Sequence, residues 1–166
     1  MKVIQAPRTG ELYGIKVFLA GGISGCRDWQ KETIDALDKY LNLFGTGKNV
    51  TIINPRQDEF DPDAPVDEVI KQIKWEHMML KLSDIVTFFF DNSDSVQPIS
   101  LYELGKWASK KPNVITVVDG YKRGLDVEVQ CYLDNLYVGQ FNQDEAIEKH
   151  VKAIVHAIKV FKEKRI

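Results

Sequence analysis

Residues 84–118 read DIVTFFFDNSDSVQPISLYELGKWASKKPNVITVV, with two apolar runs at 84–90 and 113–118. Both runs are rich in β-branched and aromatic residues, which predicts two buried strands. The segment between them, 98–110, has helical spacing of its apolar residues and begins with a proline, a residue favoured in the first turn of a helix. Strand, helix and strand in this order predict a right-handed crossover between parallel strands.

The same alternation extends towards both ends of the chain. We predict further strands over 15–20, 49–53 and 136–138, and further helices over 28–43, 66–82, 127–133 and 144–164. The sequence therefore predicts an α/β fold, a doubly wound parallel sheet of about five strands of the Rossmann or flavodoxin type. We expect residues 1–166 to form one domain, with 1–14 as a leader segment that folds over its surface.

Composition excludes several classes of function. The formal net charge of -2 gives no basic surface for nucleic acid, and no apolar run approaches the ~20 residues that cross a bilayer. The first fourteen residues lack the apolar stretch of a signal peptide. Cys26 and Cys131 lie far apart and are expected to be free thiols in a reducing compartment. We expect a cytoplasmic protein that binds neither nucleic acid nor membrane.

A glycine-rich loop follows the first predicted strand. Its residues, Gly21-Gly22-Ile23-Ser24-Gly25, do not have the G-x-G-x-x-G spacing of a dinucleotide-binding turn. The loop is either a flexible turn or a place where a ligand approaches the backbone closely. The coincidence of three glycines with the end of a strand favours the ligand.

Two other patterns are weaker. Gly45-Thr46-Gly47-Lys48 resembles a fragment of a phosphate-binding loop, but it follows a helix, so we interpret it as a turn. His77, His150 and His156 have no metal-ligand spacing, and His77 lies on an apolar helical stripe, which predicts a packed core residue. We expect neither a metal nor another cofactor.

Glu76 is the first of two carboxylates at unexpected positions. Its predicted helix carries an apolar stripe that should face the core, formed by Val66, Val69, Ile70, Ile73, His77 and Leu80. On a helical wheel Glu76 lies about 20° from Val69 and about 40° from Leu80, so it borders this stripe. Such a carboxylate either turns outwards to solvent or a basic partner, or it contacts a ligand.

Glu103 is the second carboxylate at an unexpected position. It flanks the apolar stripe of the helix over 98–110, which contains Leu101, Leu104, Trp107 and Ala108. Acidic residues near helix starts are common because they favour the helix dipole. Here the preceding loop, 91–97, follows a strand where this fold places ligands. Helix N–H groups would keep Glu103 ionised, as a nucleophile requires, but the residues alone leave both interpretations open.

Short motifs resemble one enzyme family. VFLAG at 17–21, SDIV at 83–86 and LYELG at 101–105 together resemble the nucleoside 2-deoxyribosyltransferase family. NPR at 54–56 and YKRGLDVEVQ at 121–130 resemble its divergent transferase-like branch. The resemblance covers residues 15–135 approximately, and the motifs occur in the family's order.

The resemblance implies a two-step mechanism that retains configuration. Glu103 would attack C1′ of a 2′-deoxynucleoside and release the base, after which a second base or water would attack the glycosyl-enzyme. Glu76, eight positions before Asp84, would engage the base and hold or deliver its proton, which requires a raised pKa or a hydrogen-bonded site. Both carboxyl groups would then face one hollow beside the sheet.

The resemblance also implies where the substrate binds. Phe18, Gly21, Gly22 and Ile23 would line the base pocket, and Arg56 and Gln57 match a segment that contacts the base. Family members usually carry an aspartate that holds the sugar shortly before the nucleophile; Gln97 stands near that place, with Asp91 and Asp94 upstream. The family also implies a homo-oligomer.

Several alternatives stay open. The reaction is either transfer or hydrolysis, on a nucleoside or on a nucleotide whose 5′-phosphate Arg56 or Arg123 could hold. A non-catalytic module that binds a nucleotide or senses a nucleotide signal would use the same fold without needing Glu103. A purely structural role would use the aromatic residues as an interface, although cores and strands explain those residues equally well.

Overall fold

The computed structural model describes residues 1–43, 49–58 and 63–164. Strands and helices alternate after the first strand. The strands are β1 (Lys2–Gln5), β2 (Ile15–Gly21), β3 (Val50–Asn54), β4 (Ile85–Phe90), β5 (Asn113–Val118) and β6 (Val138–Phe141); the helices are α1 (Trp29–Leu43), α2 (Val66–Leu82), α3 (Pro98–Trp107), α4 (Gly124–Leu133) and α5 (Ala146–Glu163). The α/β prediction is confirmed.

The strands form one parallel sheet in the order β1-β3-β2-β4-β5-β6. After β2 the chain passes through α1 to β3, which lies towards one edge of the sheet. After β4 it passes through α3 to β5, which lies towards the opposite edge. The direction of winding therefore reverses between β2 and β4, which are adjacent in the sheet. In such sheets, ligands bind in the crevice at this reversal, beyond the carboxyl ends of the two strands.

Helices cover both faces of the sheet, which explains why β4 contains three consecutive phenylalanines. Phe88 and Phe90 pack into a core with residues of α2, α3 and α4. Phe89 points to the other face and packs into a second core with residues of α1 and α5. Because side chains alternate along a strand, a strand buried on both faces needs an apolar residue at nearly every position.

The structure corrects the prediction for residues 1–14. Lys2–Gln5 form β1, an edge strand paired with β3 in the register Lys2↔Thr51 to Gln5↔Asn54, so the sheet has six strands and not about five. Ile4 is buried in the core. Four residues are too few for sequence periodicity to distinguish a strand from an extended leader.

The predicted apolar stripe of α2 is also wrong, except at Leu80. The buried residues of the helix are Trp75, Met79 and Leu80, whereas Val66, Val69, Ile70 and Ile73 are exposed, between 44% and 75%. His77, expected in the core, is exposed as well. Only the C-terminal half of α2 packs on the sheet; the N-terminal half stands beside a cavity, so its apolar residues do not meet the core.

The boundaries of the remaining elements agree with prediction to within a few residues; for example, α1 begins one residue later than expected and α3 ends at Trp107. Residues 45–48, which we interpreted as a turn, and Phe44 lie outside the described residues. Across 1–43, 49–58 and 63–164, no helix has the length and apolar character needed to span a membrane.

His150 is a titratable group inside the core between the sheet and α5. It is fully buried, and its ring packs edge-on against Phe89 and Trp29, with centroid distances of 5.1 Å and 5.9 Å. Nδ1 lies 2.8 Å from Thr116 Oγ1, while Nε2 has no hydrogen-bond partner among the described residues. Burial lowers the pKa of His150 to about 3, so the ring is neutral in the folded protein.

His150 should make the protein sensitive to mild acid. Between about pH 6.5 and 3 the unfolded chain binds a proton at this position and the folded protein does not, so the free energy of unfolding falls as the pH falls. From pH 7.5 to 5, His150→Gln should lose about 2 kcal/mol less stability than wild type. Urea unfolding at both pH values measures this. His156→Gln, at an exposed position on α5, is the control; identical pH dependence of His150→Gln and wild type would contradict the prediction.

Candidate active site

The loops after β2 and β4 meet at the reversal point and are joined by Gln97. Its Oε1 accepts a hydrogen bond from the Gly22 amide at 3.0 Å, and its Nε2 donates to the Asp91 carbonyl at 2.8 Å. Gln97 is buried and has φ 50, a left-handed conformation, at the residue that precedes α3. The side chain therefore fixes the start of α3 relative to the glycine-rich loop.

The glycines after β2 are required by protein packing. A Cβ on Gly21 would lie 2.5 Å from the Phe89 carbonyl oxygen, and one on Gly22 would lie 2.6 Å from Cδ of Gln97. Both distances are too short for any other residue at these positions. The close approach that the glycines allow is thus between two loops of the chain, while both glycines also border a cavity.

Arg56 donates hydrogen bonds to the glycine-rich loop and to the residues that follow it. Its Nη2 donates to the carbonyl of Arg27 at 2.9 Å and to that of Ile23 at 3.3 Å, and its Nε donates to Gln30 Oε1 at 3.0 Å. Arg56 is not among the residues that line the cavity. We expected it to bind the substrate; its guanidinium is instead held by backbone carbonyls, by Gln30 and by the Asp28 carboxylate at 3.3 Å.

Asp91, which we also expected to bind the substrate, is paired with an arginine instead. The carboxylate is 2% exposed and accepts a hydrogen bond from Nε of Arg27 at 3.1 Å. It does not line the cavity. Asp91 and Arg27 form an ion pair that links the loop after β4 to the loop after β2.

A cavity of ≈ 1030 Å³ opens between α2 and α3, above the carboxyl end of β2. Its floor is Phe18 and Ala20, and one end is formed by the glycine-rich loop and the start of α3. The remaining walls are mostly apolar with a few polar groups. The residues that line it include Gly21, Gly22, Ile23, Ser24, Pro55, Gln57, Val69, Gln72, Ile73, Lys74, Glu76, His77, Leu80, Ser95, Gln97, Pro98, Ile99, Ser100, Tyr102, Glu103, Lys106 and Trp107.

Glu76 belongs to a chain of side-chain hydrogen bonds on the α2 wall. Its Oε1 accepts a hydrogen bond from Nε2 of Gln72 at 2.7 Å, and Oε1 of Gln72 accepts one from Nε2 of Gln57 at 2.7 Å. Burial raises the pKa of Glu76, while the hydrogen bond from Gln72 opposes the rise. The site thus combines a raised pKa with a fixed orientation, as a group that handles protons requires.

Glu103 faces the same cavity from α3. Burial raises its pKa to about 8, the nearby Glu76 carboxyl adds to the rise, and Lys106 opposes it. We predicted that helix N–H groups would keep Glu103 ionised. The structure corrects this prediction, because α3 begins at Pro98, more than one turn earlier, and the influence of a helix start is confined to the first turn.

Lys74 and Lys106 supply positive charge to the cavity. Nζ of Lys106 lies 3.4 Å from His77 Nδ1 and 3.4 Å from the Tyr102 hydroxyl, above the rings of Tyr102 and Trp107. Neither arginine considered for a 5′-phosphate is placed to hold one there. Arg56 binds carbonyls, and Arg123 pairs with Asp126 outside the cavity.

The structure brings seven of the nine predicted site residues to one cavity and leaves Arg56 and Asp91 outside it. The seven are Phe18, Gly21, Gly22, Ile23, Glu76, Gln97 and Glu103. Sequence reasoning missed Gln72 and Lys106. Helical spacing could have found them, because residues three or four apart share a helix face: Gln72 precedes Glu76 by four, and Lys106 follows Glu103 by three.

Within the described ranges, no three His, Cys, Asp or Glu side chains are grouped closely enough to hold a metal ion. Glu68 and His77 also line the cavity, beside Glu76 and Glu103.

Comparison with known protein families gives one match. The sequence model of the family described as "Nucleoside 2-deoxyribosyltransferase like" matches residues 14–121. The matched region contains β2 to β5 and every cavity residue named above. It ends at Tyr121, so most of the YKRGLDVEVQ segment lies beyond it. No curated protein matched the chain.

The unusual protonation of Glu103 should be visible in stability measurements. The folded protein keeps the Glu103 proton up to about pH 8, whereas the unfolded chain releases it near the ordinary value of 4.5, so the free energy of unfolding falls as the pH rises through this window. Glu103→Gln removes that loss. At pH 9 it should gain about 1 kcal/mol or more, or about 2–4 °C in Tm, and at pH 4 almost nothing.

Differential scanning calorimetry at the two pH values tests this. Glu163→Gln, at an exposed position near the end of α5, is the matched control and should change Tm at neither pH. A gain from Glu103→Gln that is equal at pH 4 and pH 9 would mean that the carboxyl is not held protonated in the folded protein.

Proposed function

Because the chain belongs to the nucleoside 2-deoxyribosyltransferase-like family, we propose that it transfers or hydrolyses the N-glycosidic bond of 2′-deoxynucleosides or their nucleotides. The reaction proceeds through a covalent glycosyl ester on Glu103. Glu76 acts at the base as the proton donor and acceptor.

One observation carries this proposal: two carboxyl groups from different helices, Glu76 of α2 and Glu103 of α3, line the same cavity, and the Glu76 carboxyl contributes to the raised pKa of Glu103. A pair of carboxyl groups is what retaining cleavage of a glycosidic bond requires, one as nucleophile and one as acid and base. The mostly apolar walls exclude water from the reacting atoms and strengthen their electrostatic interactions.

In the first step, a carboxylate oxygen of Glu103 forms a bond to C1′ as the C1′–N bond breaks. The bonding electrons pass to the base nitrogen, and Glu76 donates its proton to the departing base and becomes a carboxylate. Positive charge develops on the sugar in the transition state, and the negative charge of Glu103 stabilises it.

In the second step, another base or a water molecule attacks C1′ from the side that the first base vacated. Glu76 removes the proton from the attacking atom, and the ester bond to Glu103 breaks. Two inversions at C1′ give overall retention. Whether transfer or hydrolysis dominates depends on whether a base or water occupies the cavity when the ester is present.

The protonation of Glu103 sets a requirement on the first step, since only its carboxylate can attack C1′. With a pKa of about 8 the group is mostly protonated in the empty cavity at neutral pH. Reaction therefore involves the fraction of molecules in which Glu103 is ionised and Glu76 keeps its proton. The positive charge that develops on the sugar favours this distribution.

Product analysis tests the proposal. The protein is incubated with deoxyinosine and free adenine, and in parallel with deoxynucleosides and deoxynucleoside 5′-monophosphates alone. Deoxyadenosine indicates transfer, and release of a free base indicates hydrolysis. Glu103→Gln should lower kcat by about 10⁴-fold or more, because it removes the nucleophile, whereas Glu163→Gln should leave kcat unchanged.

Two results would contradict the proposal. Absence of product from every nucleoside and nucleotide in the wild-type protein would argue against glycosidic chemistry. If the protein nevertheless bound a nucleotide tightly, and Glu103→Gln bound it equally well, the non-catalytic nucleotide-binding function would be favoured.

We also propose that the protein forms a homo-oligomer through the rim of the cavity. α2 exposes Val66, Ile70 and Ile73, and α3 exposes Ile99 and Tyr102, each between 44% and 75%. Exposed apolar residues that form one surface mark an interaction site in soluble proteins. A second copy would cover this surface and further separate the cavity from water.

Analytical ultracentrifugation should give a mass above the 19.0 kDa of one chain. Ile70→Glu places a charge on this surface outside the cavity lining and should shift the protein to the monomer, because an unpaired charge is costly to bury. Leu125→Glu, at an exposed apolar position on α4, should leave the mass unchanged. A monomeric wild type at tens of micromolar would refute the oligomer.

A further inference from the structure

We propose that Gln72 is a positioning residue for Glu76, which fixes the carboxyl so that Oε1 only accepts a hydrogen bond and Oε2 carries the proton transferred to and from the base. This inference rests on the proposed function of Glu76. It concerns a half-buried residue on the cavity wall.

The terminal amide of Gln72 makes three hydrogen bonds to described residues. Its Nε2 donates to Glu76 Oε1 at 2.7 Å and to the Pro55 carbonyl at 3.1 Å, and its Oε1 accepts from Gln57 Nε2 at 2.7 Å. Gln57, Gln72 and Glu76 all line the cavity. The amide therefore connects the segment after β3 to the carboxyl group on α2.

The Pro55 carbonyl determines the direction of every bond in this chain. A backbone carbonyl can only accept a hydrogen bond, so the nitrogen of the Gln72 amide must face Pro55. The same nitrogen then donates its second hydrogen to Glu76, and the amide oxygen is left for Gln57. Rotating the amide by 180° would place oxygen against oxygen at two positions, at Pro55 and at an ionised Glu76.

This direction has a consequence for proton transfer. Oε1 of Glu76 accepts from an N–H group, so in the neutral carboxyl the hydrogen lies on Oε2. When Oε2 gives its proton to the departing base nitrogen, negative charge appears on Glu76, and the Gln72 N–H strengthens its bond to the new carboxylate. In the second step Oε2 takes the proton back from the attacking base or water. Gln72 itself gains or loses no proton.

Gln72→Leu tests the proposal, because leucine has a similar size and cannot donate. Two measurements are made on each variant: the pKa of Glu76 from ¹³C NMR of its carboxyl carbon, and the pH profile of kcat/KM. Without the donor the pKa of Glu76 should rise, and the limb of the profile that reports Glu76 should move to higher pH. We expect kcat to fall about tenfold to a hundredfold, since a hydrogen bond to a charged group is lost.

Two further variants separate positioning from folding. Gln72→Glu keeps an oxygen for Gln57, removes both donors and adds a like charge, so it should raise the pKa of Glu76 more than Gln72→Leu does. Lys71→Leu changes an exposed neighbour on α2 and should alter neither measurement. If Gln72→Leu had the wild-type Glu76 pKa and pH profile, the proposal would be overturned, whatever its Tm.

The NMR measurement requires no activity, so it distinguishes failure of this inference from failure of the proposed function. If the wild-type protein forms no product, the glycosidic reaction is wrong, and a raised Glu76 pKa in Gln72→Leu still supports the positioning by Gln72. If the wild-type protein is active and the Glu76 pKa is unchanged in Gln72→Leu, the reaction stands and the role of Gln72 is refuted.

Discussion

The Gln97 amide lies where two loops of a doubly wound sheet must come together, and the geometry of the cavity follows from its two hydrogen bonds. One bond holds the Gly22 amide in the loop after β2, and the other holds the Asp91 carbonyl in the loop after β4. Since Gln97 immediately precedes α3, these bonds also fix the start of the helix that carries Glu103. The position of this carboxyl relative to the floor at Phe18 therefore depends on backbone groups in the loops that follow these two adjacent strands.

The contact between these two loops also explains the identity of several residues that have no proposed catalytic role. Gly21 and Gly22 are small because Phe89 and Gln97 occupy the space that a Cβ would need. Arg56 donates to the carbonyls of Ile23 and Arg27, which also accept from backbone N–H groups, and Trp29 donates to the Gly22 carbonyl at 2.9 Å. Buried carbonyls that lose such partners cost stability, so the wall of the cavity is maintained from its outer side.

Much of this fold could be predicted from the sequence, because the strands and the long helices carry strong periodic signals. β4 and β5 were predicted almost to the residue, and their order in the chain sufficed to place the loops that border the cavity. β1 was missed because four residues contain too little periodicity. The apolar residues of α2 do recur with helical spacing, but we wrongly expected all of them to face the core. Apolar residues that line a cavity or its rim produce the same pattern as residues that pack on a sheet.

The site was less predictable, because a sequence does not show in which direction a charged side chain points. Asp91 and Arg56 follow strand ends, as ligand-binding residues of this fold do, yet each turns towards another loop. Glu76 and Glu103 stood out because each lies beside an apolar stripe, where a carboxylate lowers the stability of the protein unless it is paired or faces a cavity. Sequence position could not give their protonation. That depends on how much water the α2 and α3 walls exclude and on the proximity of the two groups, which only the packed structure determines.

The electrostatic balance of the cavity gives these observations a common physical basis. The largely apolar walls favour neutral carboxyl groups, and two carboxyl groups in one cavity disfavour the second negative charge more than the first. Lys106 acts in the opposite direction on Glu103, and Gln72 does so on Glu76. Each carboxyl thus has a partner that stabilises its ionised form, and the partners differ in kind: a cation for Glu103 and a neutral hydrogen-bond donor for Glu76. A cation lowers the cost of ionising the Glu103 carboxyl from a distance, whereas a fixed donor also favours one oxygen of Glu76 as the one that bears the proton.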